Sequence, residues 1–168
     1  LSFALLLADK GISSTLLEKA KYPTISPDDD LDRAQFDSRN IALSRRTVQI
    51  YRGITFNGKS LWDDLQSHAC RIDEVNISEE GSFGKATLNK EAEGVESFGQ
   101  VMENAWLGKK LLLAVQNNPL ITLLDGATLT DIQQTATDVT IRFDQDHQAC
   151  QTLTADLLSL IHISEPTR

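Results

Sequence analysis

The chain has 168 residues, 40% of them hydrophobic and 24% charged, values that exclude a collagen-like repeat, a coiled coil and a largely disordered chain. Lys plus Arg number 16 against 24 Asp plus Glu, a net charge of −8, so the surface repels phosphate backbones and anionic lipid and nucleic acid is not an expected partner. The length suits one domain or a piece of one.

The opening run Leu1-Ser2-Phe3-Ala4-Leu5-Leu6-Leu7-Ala8 stops at Asp9 and Lys10. It is far shorter than the roughly 20 residues a membrane span needs. It has neither the basic start nor the small-residue cleavage site of a secretory signal. The run reads as a buried helix ended by Gly11, which takes the left-handed position after the last turn. Residues 12–18 are β-prone and end in the acid Glu18. Residues 19–36 carry Pro23, Pro27 and Asp28-Asp29-Asp30 with little apolar material, a solvated loop. The three aspartates lack a fourth ligand and a glycine at calcium-loop spacing, so no metal site is expected there. Residues 37–44 begin a second ordered stretch, with helix-compatible residues continuing to Tyr51.

A helix is predicted over 60–68, where Ser60 caps and Asp63 and Asp64 complement the first-turn dipole. Alternation over 72–78 and 84–88, joined by a turn at Glu80-Gly81-Ser82, predicts an antiparallel pair. A further strand is expected over 95–102. The clearest helix runs from 103 to 117, with Trp106, Leu107, Lys110, Leu111, Ala114 and Val115 at three and four spacings and a stop at Asn117-Asn118-Pro119. Strands at 121–124, 127–134, 138–143 and 151–157 complete the set. Cys70 and Cys150 lie far apart with no C-x-x-C spacing, which points to neither a zinc site nor a disulfide framework and fits a reducing cytoplasm.

Helix, glycine, strand and acid together make half of a βαβ unit. In a dinucleotide-binding unit the pyrophosphate lies on a helix N-terminus opened by a glycine-rich turn, and an acid about 20 positions on accepts the ribose hydroxyls. Glu18 stands in that place, and counting back from it puts the last glycine of the turn just ahead of Leu1. A strand ending in Glu before a loop is also commonplace, so spacing alone leaves both readings open.

Phe36-Asp37-Ser38-Arg39-Asn40-Ile41-Ala42-Leu43-Ser44 resembles the D-x-R-x-x-A-L-S signature of the flavin-dependent aromatic hydroxylases of ubiquinone biosynthesis. Ser78-Glu79-Glu80-Gly81-Ser82-Phe83-Gly84 and Gly99-Gln100-Val101-Met102-Glu103-Asn104 resemble two later blocks of that family, the first most like its 2-polyprenyl-6-methoxyphenol hydroxylase branch. Thr154-Ala155-Asp156-Leu157-Leu158 resembles the strand leading into its A-D-G motif. The blocks keep their order over residues 1–157. The resemblance implies an α/β fold: a truncated FAD-binding, Rossmann-like domain of the glutathione-reductase type, with an antiparallel strand group inserted at about 70–105. It implies FAD as cofactor, NAD(P)H as co-substrate, and hydroxylation of a polyprenyl phenol with oxygen. Glu18 would bind the adenosine ribose, Arg39 would lie near the flavin and its phosphates, and Gln100 would contact the flavin side. No catalytic residue is assigned. The parent is expected in the cytoplasm, with peripheral association at the inner membrane face.

The sequence departs from that pattern at Ala105, where the family has Arg after the Glu-Asn pair. The glycine turn, the A-D-G continuation and the later G-D motif are missing too, so residues 1–157 read as part of an enzyme that would be inactive alone. Three alternatives stay open. Arg39 could instead anchor its loop by pairing with Asp37. The chain could be a non-catalytic α/β binding module. The parent could be another flavin oxidoreductase, of the halogenase or geranylgeranyl-reductase type. Residues 158–168 resemble a translated adapter of short-read sequencing libraries, the other reading being an apolar terminal strand. Without an evolved packing surface, their deletion is expected to change stability by no more than about 0.5 kcal/mol. A loss of several kcal/mol in chemical denaturation would restore the stretch to the fold.

Overall fold

The computed structural model describes residues 1–25, 39–78, 81, 84–145 and 148–159; the Asp28-Asp29-Asp30 run, Asp37 and most of the 158–168 stretch lie outside them. The chain divides into two compact units, residues 1–14 with 24–121 and residues 15–23 with 122–168.

The first unit contains helices α1 (Ser2–Asp9), α2 (Arg45–Gly53), α3 (Leu61–Leu65), α4 (Lys90–Glu93) and α5 (Asn104–Gln116). Its strands are β2 (Asn40–Ser44), β3 (Thr55–Phe56), β4 (Lys59–Ser60), β5 (Cys70–Ile72), β6 (Glu74–Ser78), β7 (Lys85–Asn89) and β8 (Gly99–Glu103). Helix α1 ends as expected. Gly11 takes φ +75°, and the N–H groups of Gly11 and Ile12 donate to the carbonyls of Ala8 and Leu7 at 2.9 and 3.0 Å, so the last turn is closed by paired backbone bonds. Ala4, Leu5 and Ala8 are buried, and Ser2 bonds the Tyr51 hydroxyl of α2 at 2.9 Å. Ser60 caps α3 by accepting from Trp62 N–H, and the Asp63 carboxylate accepts from Ser60 N–H at 3.2 Å. That reciprocal pair starts the helix where the sequence places it. Helix α5 is the unit's centre: Leu111, Leu112, Ala114 and Val115 are all buried, too many for a single amphipathic stripe.

Three strands form an antiparallel sheet in the order β2-β8-β5. The antiparallel pair expected over 72–78 and 84–88 is present as β6 and β7; Ile72 alone falls outside it, ending β5, which joins β8. Asp73 marks the break. Its carbonyl accepts Lys90 N–H at 3.1 Å and its carboxylate holds Lys90 Nζ at 2.7 Å, which takes that residue out of both ladders. Residues 95–98, expected in a strand, instead follow α4 and its left-handed cap at Gly94, φ +64°. Val95 N–H there returns to the Lys90 carbonyl.

The second unit contains β1 (Ser14–Leu17), β9 (Ile121–Leu124), β10 (Ala127–Gln134), β11 (Val139–Gln145) and β12 (Gln148–Ala155). Strands β1 and β9 pair. Ser14 N–H donates to Leu120 and Glu18 N–H to Leu124, so the bonds advance together along both chains and the pair is parallel. Strands β10, β11 and β12 form an antiparallel meander with Ile132, Ile141 and Leu153 in register. Ala127, Val139, Ile141 and Phe143 are buried on it, while Thr128, Thr140, Arg142 and Thr152 alternate with them as period-two patterning requires. Among the described residues no helix is long and apolar enough to cross a membrane.

Candidate cofactor site

Glu18 follows the last residue of β1, at the carboxyl end of a parallel strand, where ligands of open α/β sheets bind. Three backbone bonds hold it and its loop: Glu18 N–H to Leu124 C=O at 3.0 Å, Ala127 N–H to Glu18 C=O at 3.0 Å, and Gly126 N–H to Ala20 C=O at 3.3 Å. Ala20 N–H donates to Glu18 Oε1 at 3.0 Å. Among the described residues Oε2 accepts no hydrogen bond, so one carboxylate oxygen is fixed and the other is open to a hydroxyl donor. Tyr22, half-buried, follows in the same loop. Burial raises its phenol pKa first, and the Glu18 and Asp125 carboxylates raise it further, so the phenol stays neutral and able to donate.

Arg39 and Gln100 lie in the first unit, Gln100 in β8 and Arg39 immediately before the neighbouring β2. The Arg39 carbonyl accepts Asn104 N–H at 2.9 Å. Leu43, Gln100 and Arg71 stand opposite one another across β2, β8 and β5, so their side chains share one face. Gln100 is 6% exposed, and its side-chain amide is not among the described buried polar atoms left without a partner, which are Ser14 Oγ and Trp106 Nε1. The alternative partner of Arg39, Asp37, lies outside the described residues.

The two sequence blocks carrying Arg39 and Gln100 are therefore the two strands of one ladder, whereas Glu18 belongs to the other unit. Ala105, at the first turn of α5, has no exposed surface; the position holds a core methyl group and offers no donor to a ligand. Sequence reading passed over Asp125 and Gln145, which brace the Glu18 loop, and Arg71. The Asp125-Gly126 pair is a turn signal, and its place after a β-run was the available clue. Among the described residues no cluster of His, Cys, Asp and Glu is placed to hold a metal ion. Within the second unit the Glu18 carboxylate suits a hydroxyl donor such as a diol; within the first unit Arg39 and Gln100 are cationic and amide side chains suited to a polar ligand edge.

No family model matches the sequence. Among solved structures, the p-nitrophenol 4-monooxygenase PnpA from Pseudomonas putida DLL-E4 superposes with a TM-score of 0.62 at 15% identity, over 92% of this chain and 35% of its own. The flavin-dependent monooxygenase PieE, solved with FAD and substrate, gives 0.63 at 19% identity over 92% and 27%. OxyS, the anhydrotetracycline hydroxylase from Streptomyces rimosus, gives 0.59 at 18% over 92% and 28%. The chain spans about a third or less of the length of these proteins. It has the α/β fold of FAD-binding monooxygenases, with antiparallel strands inserted as expected.

Proposed function

We propose that the chain is part of an FAD-dependent aromatic monooxygenase that hydroxylates a polyprenyl phenol in ubiquinone biosynthesis, with NAD(P)H and oxygen as co-substrates. The observation that carries the reading is Glu18 at the end of a parallel strand, one carboxylate oxygen fixed and the other open, within a fold shared with flavin-dependent hydroxylases. Glu18 accepts the hydroxyls of the adenosine ribose through charge-assisted hydrogen bonds. Arg39 offers a planar cationic donor to anionic oxygens of the cofactor. The Gln100 amide contacts the flavin side. FAD, when bound, supplies the redox chemistry with oxygen, and the protein's part is to bind, orient and exclude water.

A polyprenyl substrate partitions into lipid, which places the parent at the inner membrane face as a peripheral protein. The test uses the whole gene product with FAD, NAD(P)H, isotopically labelled oxygen and a polyprenyl phenol. One labelled oxygen in the product is the expected result. Flavin turnover without label in any phenol would overturn monooxygenase activity. Labelling confined to phenols without the prenyl chain would overturn the substrate assignment.

A further inference from the structure

Backbone and side-chain bonds join the Glu18 loop to the turn that faces it. Ala127 N–H donates to Glu18 C=O and Gly126 N–H to Ala20 C=O. Tyr22 N–H donates to Asp125 Oδ2 at 2.8 Å, so the Asp125 side chain staples the loop to the turn. Asp125 is itself held, because Gln145 Nε2 of β11 donates to its carbonyl at 2.9 Å. The turn is shaped around this contact. Gly126 adopts φ +65°, and a Cβ there would meet Lys21 Cε at 2.7 Å and Cγ at 3.1 Å, so Lys21 lies directly over the glycine. Ala20, whose N–H fixes Glu18 Oε1, sits between the two ends that the turn clamps.

We propose that Asp125 is a positioning residue for the Glu18 carboxylate: by accepting Tyr22 N–H it holds the loop so that Ala20 N–H fixes one oxygen of Glu18 and leaves the other presented to a ribose diol. The ligand part of this inference rests on the function proposed above. The geometric part stands on the loop itself. A carboxylate that must meet a diol in one orientation gains affinity from being held before the ligand arrives. Asp125 acts through the acceptor oxygen rather than through its charge, since its partner is a neutral amide and its carboxylate stands near the like-charged Glu18.

The test compares Asp125→Ala and Asp125→Asn in the whole flavin-binding protein. Amide hydrogen exchange is measured without ligand and FAD is then titrated, with Glu18→Gln and the double variant Glu18→Gln/Asp125→Ala alongside. Asp125→Ala is expected to speed exchange at Tyr22 and Ala20 and to weaken FAD binding about tenfold, the scale of one lost hydrogen bond. Asp125→Asn keeps an acceptor oxygen and is expected to stay close to the parent chain in both readouts. In the Glu18→Gln background the Asp125→Ala effect on FAD should largely vanish, because coupled residues are not additive. Three results would overturn the proposal: unchanged exchange at Tyr22 and Ala20, no rescue by Asn, or an undiminished Asp125→Ala effect in the Glu18→Gln background. Equal FAD affinity in the parent chain and Glu18→Gln would overturn the ribose assignment alone; the exchange rates would still decide whether Asp125 holds the loop.

Discussion

Gly99→Ala is expected to destabilise the first unit by about 3 kcal/mol, in the range of severe overpacking. Gly99 opens β8, the central strand of the β2-β8-β5 sheet, opposite Ser44 and Ile72. A Cβ at this position would stand 2.2 Å from the Leu43 carbonyl oxygen and 3.3 Å from its carbon. Both are backbone atoms, so no side-chain rotation relieves the clash and β2 must move away from β8. Leu43 pairs with Gln100, so the same movement shifts the Gln100 amide relative to the strand that Arg39 introduces. Gly53→Ala is the control: nothing lies within 4 Å of the added Cβ, and the change should stay within about 1 kcal/mol. Denaturation midpoints at constant m report both. A Gly99→Ala protein as stable as its parent would mean that the close approach of the two strands is not required.

That glycine shows where sequence reading reached and where it stopped. The block containing Gly99 and Gln100 stood out by its resemblance to a family motif, but its packing reason is the facing carbonyl of Leu43, 56 positions earlier in the chain by subtraction of the two numbers. Local chemistry was legible. Gly11 as a helix stop, Ser60 with Asp63 as a capping box, and the alternation of β10 and β11 each depend on a few neighbouring residues. Pairing was less so. The run at 72–78 alternates without interruption as a pattern, yet Asp73 is drawn off by Lys90 from beyond the hairpin. The short α4 was invisible, since four residues carry no period and its evidence is the Asn89 cap and left-handed Gly94. The candidate site divides in the same way. Glu18 is marked by its position after a strand, while Asp125 becomes recognisable only once β1 and β9 are known to be parallel neighbours, because that pairing brings its carboxylate to Tyr22 N–H.

Glu18→Gln, made in the whole flavin-binding protein, is expected to weaken FAD affinity roughly 10- to 150-fold, the equivalent of about 1.5 to 3 kcal/mol for a lost charge-assisted hydrogen bond. Gln keeps the shape of the side chain and an oxygen that can still accept Ala20 N–H. The substitution therefore leaves the loop intact and changes only what the open oxygen offers to the ribose. Because the proposed contact is at the adenosine end of the cofactor, saturating FAD should restore kcat nearly in full. Arg39→Ala should separate from it. A cation proposed to lie near the flavin sets how the ring is held, and misplacement there leaves NAD(P)H oxidation uncoupled from hydroxylation even when FAD is saturating. The measurement is an FAD titration of both variants with hydroxylated phenol and peroxide scored separately. Saturable rescue of Glu18→Gln alongside persistent peroxide from Arg39→Ala would assign the two residues to opposite ends of one cofactor. Unchanged FAD affinity in Glu18→Gln would remove the strand-end carboxylate from the site and leave the flavin reading to rest on the fold and on the Arg39 and Gln100 ladder.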